Sequence, residues 1–142
     1  MSTRREARRL AIDMLYQADI TGSSPQAVLE GWIGADRDVP PFTRELLAGV
    51  SEHLPEIDLL LEEHADDWTV ARMAALDRTI LRVAVEELLH GDVPSSVAIS
   101  EAIEAASELS ADESLKFVNG ILGRIARDLE ASRGAAERGA SD

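Results

Sequence analysis

A chain of 142 residues with 14 basic and 27 acidic side chains, a formal net charge of −13 and no cysteine fits one globular domain with a core of ordinary size. The lack of cysteine excludes disulfides, thiol catalysis and thiolate metal sites together, as suits a reducing cytoplasm. No run of about 18 apolar residues spans a bilayer, the N-terminus lacks the continuous apolar stretch of a signal peptide, and Tyr16, Trp32, Phe42, Trp68 and Phe117 are too few aromatics for a sheet-borne base-stacking platform.

Apolar residues recur at helical intervals and no stretch alternates with period two, so the chain reads as all-α. Its first nine residues hold four arginines, Arg4, Arg5, Arg8 and Arg9, against one acid, leaving ten basic and twenty-six acidic residues elsewhere. Such a balance disfavours blanket attraction to nucleic acid but permits a local guanidinium grip on phosphates. A solvated, positively charged helix start fits the same spacing. Leu10, Ala11, Met14, Leu15 and Ala18 form the buried stripe of this first helix, with the arginines beside it on a wheel of 100° per residue. Arg5, Arg9, Ile12 and Tyr16 share the flanking sector, a surface for a protein partner or for RNA, unless Tyr16 only edges the core. Gly22 and Ser23 end the helix.

A short helix is expected from Pro25 to Trp32, a loop from Gly34 to Pro41, and a third helix from about Phe42 with Leu46, Leu47, Val50 and Leu54 inward. Gly49 inside it costs roughly 1 kcal/mol relative to Ala, which points to a close helix crossing. Pro55 opens a fourth helix that buries Ile57, Leu60 and Leu61. Residues 51–67 hold seven acids and no Lys or Arg; their scatter reads as a solvated face rather than a calcium site. Thr69 caps a turn into Met73, and Leu76, Ile80, Val83, Ala84 and Leu88 stripe a central helix ending near His90 and Gly91. A helix carrying Val97, Ile99, Ala102, Ile103 and Ala106 inward follows Pro94. Ser110 and Glu113 have capping-box spacing for the last helix, which buries Phe117, Val118, Ile121, Leu122, Ile125 and Leu129. The organisation expected is a single domain over 1–130 and a disordered tail over 131–142, where apolar periodicity stops.

Asn119-Gly120 normally announces a hairpin, yet helical periodicity continues on both sides and should prevail. Gly120 would then mark a close approach by a helix or ligand. The text from Val93-Pro94 through Val97, Ala98, Ile99, Ser100, Glu101, Ala102, Ile103 and Glu104, and from Ser114 through Lys116, Phe117, Val118, Asn119, Gly120, Ile121 and Leu122, resembles the NusB family of bacterial transcription antitermination factors. The resemblance takes in Asp77 to Arg82, Glu87-Leu88, Phe42, Arg44 and Leu46 to Val50, Arg4, Arg5, Ala7, Arg8 and Leu15-Tyr16, covering about residues 3–130.

That resemblance implies about seven helices in two packed three-helix subdomains. It implies partnership with the ribosomal protein NusE, joint binding of the single-stranded boxA element of nascent ribosomal RNA leaders, and action in the transcription elongation complex to help polymerase resist termination. By position, Arg4, Arg5 and Arg8 become RNA contacts, with Arg9 as a neighbour. Lys116 and Asn119 extend that surface or serve as a surface cation and a structural amide. Tyr16 and Glu87 fall on the NusE-facing surface, Glu87 also reading as an ordinary exposed helix acid. Ser100, Glu86 and Gly123 depart from the family, where Asn, Tyr and Asp are frequent; Gly123 removes a charge near the implied RNA surface.

An enzyme is disfavoured: no phosphate-cradling Gly-rich motif appears, His53, His64 and His90 lack zinc-ligand spacing, and no Ser has a nucleophile context. Neither a metal nor a cofactor is expected. Ribosomal RNA cytosine-5 methyltransferases carry a similar helical module fused to a catalytic domain for which this chain is too short. A protein-only module, including a homodimer that covers the arginines, remains the other reading.

Overall fold

The computed structural model describes residues 3–66 and 68–140, which form seven α-helices and one short 3-10 turn. These are α1 (Arg4–Thr21), α2 (Pro25–Gly34), α3 (Pro41–Glu52), α4 (Leu54–His64), the turn Val70–Arg72, α5 (Ala75–His90), α6 (Ser95–Leu109) and α7 (Asp112–Ala140). Asp67, which the acidic run included, lies outside the described residues, as do Met1 and Ser2.

Local chemistry sets the helix ends. Thr3 begins α1 through a capping box: its hydroxyl accepts the Glu6 backbone N–H at 3.1 Å, and the Glu6 carboxylate accepts the Thr3 N–H at 3.3 Å. Gly22, at φ 73°, closes the same helix in the left-handed conformation that the missing Cβ permits. Ser24 caps α2 by accepting the Ala27 N–H, with Pro25 in the first turn. His53 alone separates α3 from α4. Asn119-Gly120 lies inside α7, so periodicity prevails over the dipeptide's turn preference.

The helices α1, α2 and α3 pack on one another, and so do α5, α6 and α7; α4 lies on α5 and α7, and α1 and α3 join the halves by packing on α5. One continuous core results, with Met14, Ile57, Leu61, Ile80, Leu81, Ile121, Leu122 and Ile125 fully enclosed. Burying each such side chain contributes about 1.5–3 kcal/mol. Helix α6 buries Ala98, Ala102, Ala105 and Ala106, small side chains that let it lie close to α5. Val97, expected inward, is exposed, because the buried stripe of α6 runs through Ala98 instead.

Two other expectations change. Ser110 does not cap α7, which starts at Asp112; the Ser110 and Ser114 hydroxyls instead donate to the Asp77 carboxylate at 3.4 and 3.1 Å, tying the α6–α7 junction to the start of α5. The segment expected to be a disordered tail, 131–142, is helical through Ala140, while Ser141 and Asp142 lie outside the described residues. Ala, Glu and Arg there are strong helix formers, and the Arg133 guanidinium donates to the Leu88 carbonyl at 3.1 Å.

Gly49 marks the crossing of α3 over α5: a Cβ there would lie 2.3 Å from Glu86 Oε1 and 3.2 Å from Glu86 Cγ. The Glu86 side chain is buried and held by His53, so it has little room to yield. Gly49→Ala should therefore destabilise the protein by about 1–3 kcal/mol. Gly31→Ala in α2, where a Cβ meets nothing within 4 Å, should stabilise it by up to about 1 kcal/mol. Urea unfolding of both variants checks the contrast.

His64 fastens α4 to α7. Its Nδ1 lies 2.8 Å from the Leu60 carbonyl and its Nε2 lies 2.6 Å from Asp128 Oδ2, so only the imidazolium donates both hydrogen bonds. Burial opposes this charge, but the Leu60 carbonyl and Asp128 outweigh it and raise the His64 pKa above 6.5. Because the folded value is the higher one, the stabilisation is complete below pH 6.5 and fades as pH rises through the folded value. Proton NMR titration should show the raised pKa, and Asp128→Asn should lower it.

Candidate nucleic-acid interface

The capping box starts α1 one residue before Arg4, so the arginines occupy its first two turns. A helix N-terminus carries partial positive charge, and four guanidinia there add to it; acceptors of negative charge must answer them. Each arginine meets one carboxylate from α5, α6 or the loop between them. Arg4 pairs with Asp92 at 2.9 Å, Arg5 with Glu101 at 3.1 Å and Arg8 with Glu87 at 2.9 Å, and Arg9 pairs with Glu108. Arg4 holds the Asp92 carboxyl below the usual carboxylate range, and Asp92 in turn raises the Arg4 pKa.

The four pairs are not equivalent. Arg4 and Arg5 have side chains 50% and 58% exposed, and Arg9 is 29% exposed, whereas Arg8 and Glu87 are 7% and 4% exposed. Arg8 Nε donates to both Glu87 oxygens at 2.9 Å. Burial pushes the Glu87 carboxyl above its ordinary range against the opposing pull of Arg8. The guanidinia of Arg4 and Arg8 also lie over the Phe42 ring, 4.4 and 5.2 Å from its centre, which aligns the rail with α3.

The reading of Glu87 as an ordinary exposed helix acid is corrected here: Arg8 and Glu87 are both buried and face each other inside the α1–α5 contact. Glu87 sits on the buried face of α5 beside Ala84 and Leu88, where only a counter-charge makes its ionised form tolerable. Ile12 is likewise buried, while Tyr16 remains 36% exposed, one turn before the more exposed Ile20.

Lys116 and Asn119 are exposed on α7, which packs on α5 and α6. Among the described residues no hydrogen bond or ion pair links either to the arginine rail. A Cβ at Gly120 would meet only Arg124 Nη1, at 3.7 Å, so no helix crosses there. The Asp77–Arg82 stretch is scaffold: Arg78 pairs with Asp19 at 2.5 Å and donates to the Val70 carbonyl, and Arg82 pairs with Asp58 at 2.9 Å. The acids Asp92, Glu101 and Glu108, which sequence reading passed over, are the missed members of the site. The excess of acids over bases was the only signal for them.

Among the described residues the protein is an all-helical module with an arginine rail on its first helix, its cations answered by acids of α5, α6 and the loop between them. A sequence model of the NusB family matches residues 5–127. Transcription antitermination protein NusB of Saccharopolyspora erythraea is 48% identical over 131 residues, covering 89% of this chain and 88% of that protein. NusB of Clavibacter sepedonicus is 48% identical over 133 residues, covering 89% and 97%. Among solved structures, T. maritima NusB superposes with a TM-score of 0.80 at 34% identity, over 89% of this chain and 92% of that one. The fold also matches a crystal structure of antitermination factors NusB and NusE in complex with dsRNA, with a TM-score of 0.76 at 24% identity over 88% and 96% of the chains. This chain belongs to the NusB family of transcription antitermination factors. No helix among its described residues is long and apolar enough to cross a membrane.

Proposed function

We propose that this chain, acting in the cytoplasm with ribosomal protein NusE, binds boxA RNA of nascent ribosomal RNA leaders and helps RNA polymerase in the elongation complex resist termination. The observation that carries this reading is the rail of Arg4, Arg5 and Arg9 at the positive end of α1, in a chain otherwise strongly acidic. Each of these guanidinia is solvent-accessible and already holds an anionic oxygen. A phosphate presents the same acceptor geometry as the carboxylate it would replace. The fold's match to a NusB and NusE complex with RNA lends further support.

In this reading Arg4, Arg5 and Arg9 contact phosphates, while Arg8, neutralised by Glu87, holds α1 against α5 and keeps the rail in place. Lys116 and Asn119, exposed on α7, extend the RNA surface. Tyr16 and Ile20 offer the partner an apolar step on α1, and Glu87 enters only through Arg8. Internal acids compete with RNA, so the isolated chain binds weakly and gains affinity when NusE adds its own surface. Titration of labelled boxA leader RNA should give weak binding by the chain alone and binding at least tenfold tighter in the presence of NusE. Equal affinity with and without NusE would refute the joint site.

A further inference from the structure

The histidines lack metal-ligand spacing in the sequence, but the fold brings two of them together at the seam between α3–α4 and α5. Glu86 and His90 lie one turn apart on α5, and His53 is the single residue joining α3 to α4. One ligand atom from each of His53, Glu86 and His90 falls within 4.8 Å of the others. The two imidazoles stack with centres 3.8 Å apart and planes 23° from parallel.

We infer that His53, Glu86 and His90 form a binding site for a borderline divalent cation, Zn²⁺ in the first instance, with Glu56 as a fourth ligand. Four features support the assignment. The Glu86 side chain is only 8% exposed, and both its oxygens reach the single partner His53 Nδ1, at 3.1 and 2.9 Å. Gly49 leaves the space that the carboxylate fills against α3. Glu56 Oε1 is 3.3 Å from His90 Nε2 and Glu52 is 3.9 Å from His53 Nε2, so excess negative charge surrounds the imidazoles. The groove beside them is lined by Glu45, Glu86, Glu87, His90 and Asp92, with Arg4 at its edge engaged by Asp92.

Two imidazoles and a carboxylate suit zinc, cobalt or nickel, whereas calcium and magnesium favour oxygen donors throughout. Tetrahedral zinc, with ligand bonds of about 2.0–2.2 Å, holds its donors about 3.3 Å apart. The present spread, up to 4.8 Å, therefore closes by at most about 1.5 Å, within reach of a rotation of the exposed His90 ring. In binding, Glu86 exchanges the His53 hydrogen bond for the cation, and each imidazole offers the cation a nitrogen lone pair. The bound ion would cross-link the α3–α4 joint to the end of α5, beside the arginine rail.

The test uses the untagged full chain, stripped with chelator and titrated with Zn²⁺ by calorimetry and with Co²⁺ by visible absorption. Wild type should bind one Zn²⁺ per chain, give the intense visible bands of tetrahedral Co²⁺, and melt at a higher temperature with Zn²⁺ than without. His90→Gln, at an exposed position, and Glu86→Gln, of equal size, should each weaken Zn²⁺ binding at least about tenfold and abolish the thermal shift. Circular dichroism establishes that each variant is folded, and His90→Gln keeps the test decisive if Glu86→Gln is not. Zn²⁺ binding by wild type no tighter than by folded His90→Gln would overturn the site and leave His53–Glu86 as an ion pair alone.

Discussion

Arg8→Ala or Glu87→Ala should each destabilise the fold by about 3–5 kcal/mol, because either change strands a buried charge without its partner. A domain of this size has only about 5–15 kcal/mol in total, so both variants should show early thermal and urea transitions. Glu87→Lys, which places two cations in the same enclosed space, should not fold. The paired replacement Arg8→Met with Glu87→Leu removes both charges and keeps most of the volume. It should restore stability to within about 2 kcal/mol of wild type. Near-additive losses in the double variant would show that the two residues do not act as a pair. Loss of RNA binding in Arg8→Ala alone is consequently no evidence of a phosphate contact, since the helix that carries the rail is itself loosened.

Neutralising the carboxylates that occupy the outer arginines, by Asp92→Asn, Glu101→Gln and Glu108→Gln together, should tighten RNA binding by about tenfold. Solvent-facing ion pairs of this kind are individually weak, but RNA must displace all three, so their removal lowers the summed cost of the exchange. The same change removes negative charge that repels the phosphates. The salt dependence should stay shallow: with about 0.7 per phosphate on a logarithmic scale for single strands, three arginines give a slope of roughly −2. A gain in affinity on losing acids, with fold and stability unchanged, separates competition by internal carboxylates from a merely structural role for them. Arg4, Arg5 and Arg9 changed to Ala should act in the opposite direction.

The helices were legible because apolar spacing of three and four residues survives even across Asn119-Gly120, and because Gly22 and the prolines at 25, 41 and 55 mark ends by backbone sterics alone. The arginine rail was legible as composition, four cations in nine residues. What each cation touches was not, since its partner lies 79 to 99 residues away and only the packing of α1 and α6 on α5 brings them together. Glu87 illustrates the limit: a helix wheel permits it either face, and its burial depends on Arg8 arriving from another helix. The same holds for His53 and His90, which share no sequence spacing and meet because α3 ends where α5 ends. The helical tail through Ala140 escaped notice for a different reason: periodicity reports burial, and an exposed helix built from good helix formers has none to report.

The most direct test of the central claim is a titration of labelled boxA RNA, with NusE present, against three forms of the chain: wild type, the Arg4, Arg5 and Arg9 to Ala triple variant, and the Asp92→Asn, Glu101→Gln, Glu108→Gln variant. The rail reading predicts that the acid-neutralised form binds most tightly, wild type about tenfold less, and the arginine variant at least a further tenfold less. Equal affinities across the three folded forms would contradict it and place the RNA elsewhere on the protein.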